Sequence, residues 1–556
     1  VSRSSRGVGR LVAESLVAHG ADRIFCVPGE SFLGLTDALT DVPEIDLVVC
    51  RHEGGAAYMA VADARMRQRA GLCLVSRGPG VANAMIGLHT AHHDAVPMLL
   101  LIGQVDRRER GRGALQEQDY AKLLADTTKA VIAVDLAAHA SEAVARAFHL
   151  AESGTPGPVA LVLPEDLFDD DADGLPVVGP RPRSAPLPGA AALDALAGLL
   201  ERAERPLVLA GSALDGPPDR LAALADLAER WALPVAPTHR WPHLFDSRHP
   251  NCAGYVGNRV QPRLLNVMKE TDLLVALGER LGDVVSQSYS FPAAPDPQVM
   301  LAHVWPDPAE IGRVFRADLP IAADPRAVVE ALLARPAPTP PEGRGAWIAR
   351  LNGLHRELTA PRHDPAPDGV NFAAVCIALA GRMAPDAVLT TDAGNFTSFV
   401  HRHVPFGPRN IFLGSAVGGM GAGVPMAVAA ALRHPGRQVI GVAGDGGALM
   451  TGNEIATAMR HGAAPVILLA DNRTYGSIGM HHANRYPGRP VGAAADLVNP
   501  DFAAWARAFG AEGFAVREEA EIGPALDAAL VPRRVPAVIH VHASARQVTA
   551  WRRMPA

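Results

Sequence analysis

The sequence predicts an α/β protein of three doubly wound α/β domains with mainly parallel sheets, and three observations carry that reading. In the first third of the 556-residue chain, short apolar runs alternate with helical patterns. A stretch rich in Asp, Gly and Pro, from Asp169 to Gly189, interrupts the pattern before a second alternating block. After a proline-rich break from Pro336 to Arg344, extending loosely to Asp368, the alternation resumes to the end. Strands that alternate with helices pair in parallel, with helices covering both faces of the sheet. The expected domains are residues 1–170, 190–335 and 369–556, each of ordinary size for one hydrophobic core.

The elements follow in order. Val1 to Arg10 carries three arginines, and no apolar run follows them. Val8, Leu11, Val12 and Leu16 recur at helical spacing instead, and Gly20 stands where a helix-ending glycine belongs. This is not a signal peptide, and no uncharged apolar run approaches the length of a membrane span, so a cytoplasmic protein is expected. Arg23–Val27, Asp46–Cys50, Leu72–Ser76 and Pro97–Ile102 read as buried strands, with helices over Ala56–Arg67 and Val81–His92. Turn residues come directly after strands: Pro28-Gly29 and Gly78-Pro79-Gly80. In open parallel sheets that is where ligands gather. The middle block predicts strands near Leu207–Ala210, Leu233–Ala236 and Leu273–Leu277. The last block predicts Val388–Thr391, Gln438–Ala443, Val466–Ala470 and Ala537–Val541.

Composition excludes some partners. There are 52 basic and 58 acidic residues, a formal charge of −6, without the basic excess that a nucleic-acid binder usually shows. The five cysteines, Cys26, Cys50, Cys73, Cys252 and Cys376, are odd in number and form no C-x-x-C pair. Buried thiols in a reducing compartment are expected, not a disulfide framework or a zinc site.

The sharpest chemical signal lies in the last third. The strand Gln438–Ala443 runs into Gly444-Asp445-Gly446-Gly447, a helical pattern follows from Leu449 to Arg460, and His461-Gly462 ends it. The strand Val466–Ala470 then runs into Asp471-Asn472-Arg473-Thr474-Tyr475-Gly476. Asp445 and Asn472 are 27 positions apart. One strand, one helix and one return strand bring two strand ends to the same sheet edge, so both side chains face one point. A carboxylate and an amide oxygen are hard ligands suited to Mg²⁺, which keeps positions for phosphate oxygens and water. Gly446 and Gly447 allow close backbone approach, and a helix N-terminus behind them favours an anion. The lysine and Ser/Thr of a P-loop are absent. A lone Gly-Asp-Gly would be read as a turn with a capping Asp; the second strand end at the right separation favours a diphosphate–metal cradle.

These residues resemble the motif of thiamine-diphosphate-dependent enzymes, Gly-Asp-Gly followed by a final Asn-Asn, with Asp471 in place of the first Asn. The resemblance covers nearly the whole chain and is closest to the acetolactate (acetohydroxyacid) synthase-like group. It implies a pyrimidine-binding first domain, a central domain and a diphosphate-binding last domain. It also implies metal ligation by Asp445, Asn472 and the main-chain oxygen of Thr474, with Tyr475, Gly476, Ser477 and Ile478 lining the cofactor. Arg51-His52-Glu53-Gly54-Gly55-Ala56-Ala57 looks like the segment with the activating glutamate. Glu53 would share a proton with N1′ of the aminopyrimidine and turn the cofactor's own 4′-nitrogen into a base. Taken alone, Glu53 reads as an ordinary acidic residue at a helix start. In Gly414 to Pro425, Met420 matches the bulky residue that bends the cofactor, and Gly418 the acceptor for its 4′-amino group. Pro28-Gly29 matches a turn near the pyrimidine, and Pro79 and Asn83 match residues over the thiazolium. Gln116 matches a glutamine at the reaction centre, beside Leu115 where Phe is usual. Asn395 and Phe396 are expected to line the cofactor.

The implied activity is decarboxylation of a pyruvate-like 2-oxo acid and transfer of the resulting enamine to a second carbonyl. The implied assembly is a homodimer or homotetramer, with Glu53 of one subunit completing the site built by Asp445 of another. The alternative is a lyase, either a 2-oxo acid decarboxylase or a 2-hydroxy ketone cleaving enzyme. The His-His pair of the pyruvate-decarboxylase type is missing near Gln116, which weighs against simple aldehyde release. A nucleotide-binding protein without thiamine chemistry and a catalytically dead homologue are further classes; intact Glu53, Asp445 and Asn472 disfavour the latter. Members of the group often hold FAD in the middle domain. Here Arg280-Leu281-Gly282-Asp283 and His303-Val304-Trp305-Pro306-Asp307 depart from the usual pattern, so FAD is doubtful. His89, His92 and His93, with Asp94, lack a convincing ligand set; His401 and His403 read as a polar strand or loop face, and His481-His482, in the segment after the metal motif, as either a substrate contact or loop residues.

Overall fold

The computed structural model describes residues 6–258, 260–489 and 494–554. Three sheets organise the chain. The first contains β1 (Arg23–Cys26), β2 (Asp46–Val49), β3 (Gly71–Ser76), β4 (Met98–Gln104), β5 (Ala130–Ala133) and β6 (Pro158–Pro164) in the order β2-β1-β3-β4-β6-β5. The second contains β7 (Pro206–Ala210), β8 (Val235–Pro237), β9 (Leu273–Leu277), β10 (Met300–Trp305) and β11 (Leu319–Ala322), ordered β11-β10-β9-β7-β8. The third contains β12 (Val388–Thr391), β13 (Ile411–Gly414), β14 (Val439–Gly444), β15 (Val466–Asp471), β16 (Glu512–Val516) and β17 (Ala537–His542), ordered β13-β12-β14-β15-β17-β16. Every pairing within these sheets is parallel, and the first and third repeat one strand order. A small antiparallel hairpin, β18 (Gln547–Thr549) with β19 (Arg552–Arg553), follows.

The N-terminal helix Val8–Ala18 buries Val8, Leu11, Val12 and Leu16, and Gly20 beyond it has φ +79°. Residues 1–5 of the arginine-bearing segment lie outside the described residues. All five cysteines are buried and free. Among the described residues, no helix is long and apolar enough to cross a membrane.

Two expected elements differ. The proline-rich break does not run on to Asp368, because a helix occupies Arg344–Thr359. Trp347 and Leu351 sit in the middle domain's core with Leu207 and Leu274, and Trp347 Nε1 donates to Pro206 O at 2.8 Å. Arg344 is fully buried and donates to Ala203, Leu200 and Trp231 carbonyls. Only Arg344, Trp347, Leu351 and His355 of this helix are buried, a stripe too thin and too polar to register as an amphipathic pattern. The helix expected over Leu449–Arg460 is also interrupted. Asp445–Thr451 is helical, Gly452–Glu454 is a 3₁₀ turn, and Ile455–His461 resumes until Gly462 at φ +69°. A Cβ on Gly452 would come within 2.7 Å of the Trp505 ring, so this turn lies tight against a neighbouring helix.

The first and third domains share one apolar cluster. Helix Glu53–Arg67 buries every residue from Gly54 to Arg65, which strand β3 on one side and helix Gly423–Arg433 on the other require. Arg433 crosses this contact to Asp22 and Asp63, at 2.6 and 2.8 Å. The buried guanidinium of Arg65 donates to Gly414, Phe412 and Arg240 carbonyls, which joins all three domains.

Trp347→Ala should cost about 3–5 kcal/mol, as large truncations in cores do. Denaturant unfolding followed by far-ultraviolet circular dichroism measures it; an effect no larger than that of Arg350→Ala, on the exposed face, would remove this helix from the core.

Candidate active site

The carboxyl ends of β14 and β15 form one side of a cavity. Gly444 pairs with Ala470 in register, so Asp445 and Asp471 leave the sheet side by side and Asn472 follows one residue on. Asp445 and Asn472 line the same cavity, together with Gly444, Gly446, Gly447, Thr474, Tyr475, Gly476, Ser477 and Ile478. Asn395, Phe396 and Met420 line it from the loops after β12 and β13. Arg473 adopts φ +55°, a left-handed turn that redirects the chain immediately after Asn472.

The cradle has no room for side chains. A Cβ on Gly446 would come within 2.5 Å of the Tyr475 ring, and one on Gly447 within 2.3 Å of Asp392 Oδ2. Asp392 Oδ1 accepts from Ala393 N and Gly421 N, while its buried Oδ2 has no partner among the described residues. Burial pushes this carboxyl up to about 6. Asp445 is 4% exposed; it accepts from Gly446 N at 2.9 Å and Asn499 Nδ2 at 2.8 Å. The same Asn499 nitrogen reaches Asp471 Oδ1 at 2.8 Å. Burial raises Asp445 as well, with the neighbouring Asp471 charge adding to the rise. Burial also works to raise Asp471, but hydrogen bonds from His540 and Asn499 outweigh it and hold Asp471 below the usual carboxylate range. A buried carboxylate and an amide oxygen over a glycine floor, with Thr474 beside them, are the oxygen donor set that a cation carrying a diphosphate needs. The residues present therefore fit such a group.

A second set collects at the carboxyl edge of the first sheet. Glu53 starts its helix, capped by His52 Nδ1, which accepts from Gly54 N at 2.9 Å. Asn83 Nδ2 donates to Glu53 Oε2 at 2.9 Å. Pro79 and Asn83 lie in the first two turns of helix Arg77–His93, and Pro28-Gly29 follow β1. Gln116 has φ +64°, and its carbonyl accepts from Gly78 N at 3.0 Å; Leu115 beside it is 71% exposed. None of Glu53, Gln116, Pro28, Gly29, Pro79 and Asn83 lines the Asp445 cavity of its own chain. Gly418, at φ +76°, also stands outside it, whereas the Met420 carbonyl accepts from Tyr58 OH at 3.1 Å.

Several residues escaped the sequence reading. Glu454 is completely buried; it accepts from His52 N at 2.9 Å and from Arg51 N at 3.1 Å, and also from the Thr457 hydroxyl. It thus ties the segment before Glu53 to the third domain. Its position inside a helical run gave no cue. Phe372, from the helix preceding β12, Ser544, just after β17, and Gln547 and Val548, from the C-terminal hairpin, also line the cavity. His540, whose Nε2 lies 2.8 Å from Asp471 Oδ2, was legible only as a polar residue in an apolar strand. His89 and His93 stack edge to face at a helix end, and His401 stacks on Tyr255, all outside the cavity. In the stretch compared with a flavin site, His303 and Trp305 are buried in β10, and Trp305 Nε1 donates to Thr155.

A glycine-lined carboxylate–amide cradle on one of two sheets with the same strand order is the mark of α/β enzymes that hold a diphosphate cofactor. Known proteins say which. Family profiles described as thiamine pyrophosphate enzyme N-terminal TPP binding domain, central domain and C-terminal TPP binding domain match residues 6–123, 193–332 and 392–541. The acetolactate synthase large subunit of Parasynechococcus marenigrum is 32% identical, over 95% of this chain and 86% of that relative. A probable acetolactate synthase large subunit of Methanocaldococcus jannaschii is 31% identical, over 94% and 89%. The acetolactate synthase isozyme 2 large subunit of Escherichia coli is 29% identical, over 93% and 92%. The chain belongs to the thiamine pyrophosphate enzyme family, as an acetolactate synthase-like member.

Glu454→Ala removes the acceptor of the part-buried Arg51 and His52 backbone donors, and of the Thr457 hydroxyl, and should cost about 1–3 kcal/mol. Urea unfolding checks it; an unchanged midpoint would show that Glu454 does not anchor this segment.

Proposed function

We propose that the chain is a thiamine-diphosphate- and Mg²⁺-dependent transferase, which decarboxylates a pyruvate-like 2-oxo acid and joins the remaining acyl unit to a second carbonyl. The observation that carries this reading is the convergence of Asp445, Asn472 and Thr474 with Gly444, Gly446 and Gly447 on one cavity. The Asp445 carboxylate, the Asn472 amide oxygen and the Thr474 carbonyl would hold Mg²⁺, and through it the diphosphate. When bound, the cofactor supplies a carbon nucleophile and an electron sink for decarboxylation. Met420, on the cavity wall, would support the cofactor from one side, and Gly418, two residues before it, would offer a carbonyl to the amino group. Glu53, oriented by Asn83, would share a proton with the aminopyrimidine. Gln116 serves the reaction centre and orients substrate. Phe396, Ile478 and Val548 give the cavity an apolar wall that limits water, which favours carbon–carbon bond formation over early protonation. A lyase is the competing outcome, decided by the product.

Glu53 lines no cavity shared with Asp445 in its own chain, which supports an assembly of two or four copies in which it faces the cavity of a partner. The buried free thiols favour a reducing compartment, the cytoplasm.

Glu53→Gln should retain Mg²⁺-dependent thiamine diphosphate binding and lose about 10²–10⁴-fold in turnover, the range of a lost proton-transfer group. Asp445→Ala should lose Mg²⁺-dependent binding itself. Calorimetric binding and carbon dioxide release measure both; full activity in Glu53→Gln would end the proton assignment. Mixing the two inactive variants after dissociation and reassembly should recover about a quarter of wild-type activity, since each mixed dimer then keeps one intact site. No recovery would mean that Glu53 serves its own chain. With pyruvate as sole substrate, acetolactate should exceed acetaldehyde; the reverse makes the enzyme a lyase.

A further inference from the structure

Next to the cradle lies a side-chain cluster that the proposed chemistry leaves unused. The register of β15 against β17 sets Asp471 opposite His542, and His540 lies two residues back on the same face of β17. Asp471, His540 and His542 each bring one ligand atom within 4.8 Å of the other two. His540 and Asp471 are 2% and 4% exposed. His542 Nε2 is buried and has no hydrogen-bond partner among the described residues; His540 Nδ1 has none either, but it lies on the far side of its ring from Asp471. Unsatisfied buried nitrogens are costly enough to call for an explanation.

The surroundings are arranged around the same point. Asp471 Oδ1 is taken up by Arg473 N at 3.1 Å and Asn499 Nδ2 at 2.8 Å, which turns Oδ2 towards His540. Asp501, the cap of helix Phe502–Ala508, stands behind His540 with Oδ1 3.7 Å from Nδ1. The Phe502 ring meets His540 edge to face at 5.2 Å and closes off solvent. A carboxylate oriented by hydrogen bonds, and an imidazole backed by a second carboxylate, are the outer supports that metal ligands usually have.

We infer that Asp471, His540 and His542 form a second cation site, for a divalent transition-metal ion such as Zn²⁺. Donor chemistry separates it from the cradle. Mg²⁺ takes oxygen ligands, whereas two imidazoles and one carboxylate suit zinc and its neighbours and leave a fourth position for water. Charge points the same way: Asp471 adds a second buried carboxylate beside Asp445, and a divalent ion on its far oxygen offsets their repulsion. Two adjacent parallel strands supply all three ligands, so the site needs no chain movement. Its effect would be to pin the end of β15, one residue before Asn472, to β17.

The test uses the holoenzyme. Protein stripped with a chelator is reloaded with thiamine diphosphate and excess Mg²⁺, equilibrated with Zn²⁺, desalted, and analysed for metal by mass spectrometry. One zinc per chain should remain, and His540→Gln and His542→Gln should each bind it at least tenfold more weakly while keeping the wild-type circular dichroism spectrum. Anomalous scattering at the zinc edge in wild-type crystals should peak between the three side chains, which decides the matter if the variants do not fold. No retained zinc, equal retention in the variants, or a peak on Asp445 and Asn472 instead would overturn the site and leave a His540–Asp471 hydrogen bond alone. Loss of thiamine diphosphate binding by wild-type protein would bear on the cofactor reading, not on this one.

Discussion

Gly444 lies beside Ala470 across β14 and β15, and that register brings Asp445, Asp471 and Asn472 together at one sheet edge. Side chains alternate between the two faces of a strand, so a slip by one residue would turn each group to the opposite face. Apolar residues on both faces hold the register: Ile440 and Val442 pack into one core cluster, Ala443 and Leu469 into another. The site is therefore specified by hydrophobic side chains that never touch a ligand. Asp445, Asp471 and Asn472 stand together because the residues before them cannot be shifted cheaply.

Bringing those groups together has an electrostatic cost. Asp392, Asp445 and Asp471 are all buried near one cavity, and burial disfavours the charge of each. The protein answers locally with backbone N–H donors to Asp392 and Asp445, an Asn499 amide shared between Asp445 and Asp471, and an imidazole on Asp471. What remains is a cluster of three buried carboxyl groups with an unpartnered Asp392 oxygen. Such a place is stable when cations occupy it and strained otherwise, the usual condition of a site shaped for binding.

The second constraint is the contact between the outer domains. Helix Glu53–Arg67 is alanine-rich, and so is helix Gly423–Arg433; small side chains let the two approach closely. Arg433 and Arg65 satisfy the polar groups that this contact buries, and Glu454 holds the backbone just before Glu53. The glutamate proposed for proton transfer thus rests on residues of the third domain, although it does not line that domain's own cavity.

Much of this was legible along the chain. Leu273–Leu277 is an uninterrupted apolar run, and Val388–Thr391 pairs two apolar residues with two β-branched threonines; both form fully buried strands. Glycine-bracketed Asp445 and the Asn472 strand end also announced themselves, because a strand–helix–strand unit has little choice in where its ends meet. Other elements had no local signature. β5 and β16 are short and half-buried at sheet edges, and His303 breaks the apolar run of β10. Helix Arg344–Thr359 owes its existence to the groove it fills, Glu454 matters for two amides some 400 positions away, and Asp471 meets His540 only through strand pairing. Periodicity records what a segment does with its immediate neighbours; contacts between distant segments are settled by packing, in which each surface exists only once the others have folded.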